Sequence, residues 1–194
     1  MNRNQQIIFV IIFAILWGVS EIFIGDFISV YSLPVRGIVL TSFSVFFIVL
    51  TRGEANFFGS LLFLVFIAAI LKAAYFGTIL HSALIAVVVQ GILAEIIFSS
   101  IKDFKKASIT TGIVLLLYTF LHGIVAHGFV WGTHIFITYK NMLRGVFLLD
   151  PISQLPLEFI LIVFGILNLL IGLLVGYFSF YISGKLKKLL NLYF

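Results

Sequence analysis

The sequence predicts an all-α integral membrane protein, a bundle of about six transmembrane helices with both termini cytoplasmic. Three observations carry that prediction. Of the 194 residues, 62% are hydrophobic and only 10% charged, with a mean hydropathy of +1.26. A soluble domain carries about 25% charged residues, so too little polar surface exists here to face water. The apolar runs repeatedly approach the roughly 20 residues that cross a bilayer as a helix. The lysines and arginines sit between those runs, eight on one side and four on the other.

The elements follow in order as one transmembrane domain over residues 1–194. The first span, 7–31, runs through IIFVIIFAILWGVSEIFIGDFISVY, and its apolar character continues too far for a cleaved signal peptide. The second, 35–51, is short, entered through Leu33-Pro34 and left at Thr51-Arg52-Gly53-Glu54. The third and fourth cover 55–76 and 78–101, and Lys102, Asp103, Lys105 and Lys106 close the fourth. The fifth, 107–139, is long enough to tilt or to break near Gly128 or Gly132. A less apolar connector leads to the sixth span, 157–183, and then to a basic tail, KLKKLLNLYF. Barrel strands would alternate apolar and polar over about ten residues, whereas these runs are continuous and about twice as long.

Orientation comes from the basic residues. Arg3, Arg52, Lys102, Lys105, Lys106, Lys185, Lys187 and Lys188 share one side, against Arg36, Lys72, Lys140 and Arg144 on the other. The richer side is cytoplasmic by the positive-inside rule, in the cell membrane. The small excess of +5 therefore reads as membrane orientation, and no nucleic-acid partner is expected.

Ionisable or polar residues inside a span are costly and mark sites. Glu21 and Asp26 fall in the outer half of the first span. In the fourth, His81 lies near the outer surface, Gln90 at mid-membrane and Glu95 in the inner half. The fifth climbs outward through Tyr118, His122, His127, Trp131 and His134, and the sixth passes from Glu158 to Asn168. Most of this polarity lies in the outer half, which points to a pocket open to the exterior. His127, Trp131 and His134 share one helical face, an arrangement that suits either stacking on a ring-containing ligand or anchoring at the headgroups. Glu21, Glu95 and His122 read as buried polar residues, with Glu95 either a hydrogen-bonding core residue or part of a ligand or coupling network.

Several chemistries are excluded or unsupported. The chain has no Cys, so disulfides and thiolate chemistry are absent. No nucleophile elbow, HExxH helix or Gly-rich phosphate loop occurs, and no cofactor is expected. His122 and His127 stand five residues apart, about 140° round a helix, which is poor spacing for a shared metal. Active transport would draw its energy from another subunit or an ion gradient. Small-residue seams occur at Ala14-x-x-x-Gly18, Ala69-x-x-x-Ala73 and Gly172-x-x-x-Gly176, where helices can approach closely.

In size, span number and outward-biased polarity, the chain resembles the substrate-binding S components of energy-coupling factor (ECF) vitamin transporters. The segment ILWGVSEIFIGDF, with Ala14 and Gly18, is similar to the motif by which those proteins meet a transmembrane coupling subunit. HSALIAVVVQGILAEIIFSS is similar to their fourth helix. The resemblance implies a vitamin-like substrate enclosed by helices four to six and the 1–2 and 3–4 loops. Its pocket candidates are His81, Gln90, His127, Trp131, His134, Glu158 and Asn168. It also implies that ATPase subunits on other chains drive release, and that Ala14 and Gly18 contact the coupling subunit. Nickel and cobalt members use an amino-terminal Met-His, and Asn2 here departs from that pattern.

Two other classes stand beside this one. One is a small membrane enzyme acting on a lipid or isoprenoid, with Glu95, His122 and Tyr118 as acid–base groups. The other is a structural subunit of a larger membrane complex. On the uptake reading, His127→Ala or Trp131→Ala abolishes binding of the copurifying small molecule, measured by titration; normal binding in both variants would put the pocket elsewhere.

Overall fold

The computed structural model describes residues 2–28, 33–78, 82–131 and 156–193. Among these the chain forms six helices and no strands: α1 Arg3–Phe27, α2 Leu33–Glu54, α3 Ser60–Phe76, α4 Ser82–Ser100, α5 Phe104–Trp131 and α6 Leu157–Tyr193. Five are long and apolar enough to cross a bilayer, and α3 is a shorter apolar helix of 17 residues, at the lower limit for a span. The chain is a multi-pass membrane protein.

Local sequence sets the helix ends. Asn2 and Gln5 form a capping box that starts α1: Gln5 N donates to Asn2 Oδ1 at 2.9 Å, and Asn2 N donates to Gln5 Oε1 at 2.8 Å. Gly59 and Gly77 bracket α3 with φ of 85° and 66°, a left-handed backbone that glycine adopts without penalty. Asp103 caps α5 by accepting from Lys106 N at 2.9 Å. The basic tail expected after residue 183 is instead helical through Tyr193, because only Gly184 interrupts an otherwise helix-forming run.

α2 stands at the centre, in contact with all five other helices, which surround it in the order α1, α3, α4, α5, α6. It is the least apolar of the five long helices and the most buried. Thr41, Ser44, Thr51, Arg52 and Glu54 are all buried on it, whereas Phe23, Phe27, Phe66 and Leu174 lie on the outside, each more than 60% exposed. Polar groups gather inside and apolar ones outside, as a hydrocarbon solvent demands.

The small-residue seams close contacts within the chain. Ala14 and Gly18, the expected partner contact, are buried against α3; a Cβ on Gly18 would lie 2.9 Å from Leu71 Cδ1. Gly172 and Gly176 pack on α5, where Gly112 completes the crossing. A Cβ on Gly112 would stand 2.1 Å from the Gly172 carbonyl oxygen, and a backbone atom cannot rotate away. Gly112→Ala is expected to destabilise the protein by about 3 kcal/mol or more, read as a lower Tm in detergent. Gly184, with nothing within 4 Å of its added Cβ, provides the control. Gly184→Ala should change stability by no more than about 1 kcal/mol, in the stabilising direction.

Candidate functional site

A cavity of about 210 Å³ lies at the end of the bundle away from residues 2 and 193. All six helices line it: the last turns of α1 and α3, the first turns of α2 and α4, the later half of α5, and Asn168 on α6. The walls carry two acids, Glu21 and Asp26, and two bases, Arg36 and Lys72.

Glu21 and Lys72 form an ion pair buried to within a few per cent of complete exclusion from solvent. The second oxygen of Glu21 accepts from Trp17 Nε1 at 3.1 Å and Ser44 Oγ at 2.9 Å. Trp17 lies one helical turn before Glu21, so the sequence spacing itself delivers that donor. Nearer the rim, Tyr75 donates to Asp26 at 2.5 Å. Arg36 reaches back towards α1, its Nη2 lying 3.6 Å from where a Cβ on Gly25 would be.

Deeper in the bundle, α2, α4 and α5 meet through an uncharged network. Gln90 Nε2 donates to Thr41 Oγ1 at 3.1 Å and to Thr119 Oγ1 at 3.0 Å, and the two hydroxyls lie 2.7 Å apart. With both amide hydrogens committed there, Gln90 Oε1 is buried and has no hydrogen-bond partner among the described residues. His122 Nδ1 lies 3.4 Å from Tyr118 OH, and its Nε2 is likewise buried and without a partner among the described residues. Asn168 donates from Nδ2 to Phe164 O at 2.8 Å, which fixes its side chain on the cavity side of α6. The cavity thus carries charged residues of both signs, and two of its lining residues, Gln90 and His122, each keep a buried polar atom with no hydrogen-bond partner among the described residues.

No family model, curated protein or solved structure matches this chain.

Of the residues singled out from the sequence, Gln90, Asn168, Glu21 and His122 are brought together around the cavity. Glu158 is exposed in the first turn of α6 and does not line it. His127 and Trp131 fall on the last turns of α5, where the backbone alone is described, and His81 and His134 lie outside the described residues. Helices α1 to α3 share the lining, so it is not built from the later three helices alone. Thr41, Thr119 and Lys72 were missed. The signal for Lys72 was available: a cation within an apolar run, at the same depth as Glu21.

Glu95 belongs to a separate site at the other end. It accepts from Arg52 Nη1 at 3.2 Å and from the backbone N–H groups of Gly59 and Leu61, both at 3.1 Å. Arg52 Nη1 also donates to Phe57 O and Ser60 Oγ. Arg52, expected in the 2–3 loop, is therefore a buried residue in the last turn of α2. The acid–base trio of Glu95, His122 and Tyr118 is not assembled: the last two are neighbours, and Glu95 is engaged elsewhere.

Removing one partner of a buried pair strands the other charge. Lys72→Met is expected to destabilise the protein by about 3–5 kcal/mol, and Glu21→Gln added to it to recover most of that loss. Chemical unfolding in detergent measures the cycle; equal loss in the single and double variants would show that the pair carries no coupling.

Proposed function

We propose that this chain is the membrane-embedded, substrate-binding subunit of an uptake system for a vitamin or similar micronutrient. On this reading it lies in the cell membrane with the cavity facing outward. A separate transmembrane coupling subunit and ATPase subunits supply the energy, as in the energy-coupling factor transporters that the sequence resembles. The observation that carries the proposal is the buried, unpartnered amide oxygen of Gln90 beside a cavity lined by all six helices. Leaving such an acceptor unpaired costs about 1–3 kcal/mol. Its accessible surface is below 1 Å², so the side chain must turn toward the cavity for a ligand N–H or O–H to recover that energy, and no donor among the described residues reaches it. Arg36 and Asp26 add charge of both signs nearer the rim, whereas Glu21 and Lys72 neutralise one another in the wall.

The reading is tested by purifying the protein in mild detergent, denaturing it and identifying released small molecules by mass spectrometry. A stoichiometric polar compound is expected. Gln90→Leu should lower its affinity about tenfold or more, the loss of one buried hydrogen bond. Recovery of nothing but lipids in irregular amounts, or an unchanged affinity in Gln90→Leu, would overturn the proposal.

A further inference from the structure

A second pocket, of about 290 Å³, opens at the end that carries residues 2 and 193, between the end of α2, the α4–α5 link and the late turns of α6. Arg52, Lys102 and Lys187 line it, and no carboxylate does. We propose that this pocket binds a phosphate-type oxyanion, supplied by the headgroup of an anionic lipid. The proposal is independent of any solute in the cavity at the other end.

Arg52 makes this a built site and not a patch of surface charge. It is only 8% exposed and held in place through Nη1, which reaches three acceptors, Phe57 O, Ser60 Oγ and Glu95 Oε1. Its Nη2 and Nε make no hydrogen bond among the described residues. A guanidinium fixed by one nitrogen, with two others unused, presents the fork that phosphate oxygens fit. Lys102 and Lys187 are exposed at the mouth, and neither has a carboxylate within 4 Å among the described residues, although the charges of Lys187 and Glu54 interact over a longer distance.

The rest of the pocket favours an anion with an attached apolar body. Phe104 stands 5.7 Å from Phe98 and 6.0 Å from Phe180 between ring centres, forming an aromatic wall behind the cations. Low-dielectric walls strengthen the field of the charges in front of them. Basic pockets between spanning helices are where phospholipid headgroups bind, and this end carries the larger share of lysine and arginine.

The test uses the full chain in detergent, titrated with short-chain phosphatidylglycerol, short-chain phosphatidylcholine or inorganic phosphate. Phosphatidylglycerol is expected to bind about tenfold more tightly than phosphatidylcholine, and Lys102→Gln or Lys187→Gln each to weaken it about fivefold. Lys105→Gln is the control, because Lys105 lies over the Tyr177 ring and does not line the pocket; its affinity should stay within about twofold. Inorganic phosphate binding with the same lysine dependence would make the free ion the source, whereas phosphatidylglycerol binding alone makes it the lipid. Equal affinity for the two lipids with no phosphate binding would overturn the proposal. So would equal losses in all three lysine variants, or no loss in Lys102→Gln and Lys187→Gln.

Discussion

A carboxylate inside a bilayer has no water to turn to, so it must find its counter-charge and donors within the protein. This bundle is organised around two such carboxylates. Glu21 of α1 draws Lys72 from α3 and Ser44 from α2; Glu95 of α4 draws Arg52 from α2 and two backbone N–H groups from the start of α3. The two clusters hold α3 at opposite ends. Its first N–H groups lack intrahelical acceptors and its own N-cap, Gly59, offers no side chain. Glu95 supplies that cap from a neighbouring helix and places a negative charge at the positive end of the α3 dipole. The shortest helix, which gains least from spanning apolar contact, is thus the one fastened at both ends.

The same solvent explains why α2 is central. Its buried polar residues would each be expensive against lipid, and the neighbouring helices supply partners to Thr41, Ser44 and Arg52 that lipid could not. Close packing then needs small residues where helices meet, as at Gly112 against Gly172 and Gly176, or Gly91 against Val65. Among the described residues, polar satisfaction is nearly complete around Glu21 and Glu95 and incomplete at Thr51, Glu54 and Thr111 as well as at Gln90 and His122, of which only the last two line the cavity.

Much of this was legible in the sequence, and the failures share one cause. Six helices and their approximate limits follow from hydropathy and depth, which are properties of one chain segment at a time. So do Glu21, Gln90, His122 and Asn168 as residues worth watching. Pairings between helices are not properties of one segment. Arg52 looks like a loop charge because it lies just past an apolar run, Lys72 is a cation inside one, and only the fold shows the carboxylate facing each. Thr41 and Thr119 are unremarkable until Gln90 is seen between them. Gly112 stands four residues after Ser108, but its partners lie on α6, and only the fold shows that crossing. The acid–base grouping of Glu95 with His122 failed for the same reason, since depth alone does not say which neighbour a carboxylate chooses.

The two ends of the bundle differ in electrostatic character. The cavity balances Glu21 and Asp26 against Lys72 and Arg36, so with His122 neutral its walls carry no net charge. Coulomb attraction therefore gives no general preference for anions or cations there, and discrimination must come from where the hydrogen-bonding atoms are. Gln90 Oε1 and His122 Nε2 are the atoms of those two lining residues without a hydrogen-bond partner among the described residues, while the other polar atoms of both side chains are engaged. The pocket at the other end has the opposite design, three cations with no carboxylate in its lining. Charge attracts broadly, whereas fixed hydrogen-bonding atoms select narrowly. The balanced charge of one lining and the unbalanced positive charge of the other therefore set different electrostatic conditions at the two ends of the bundle.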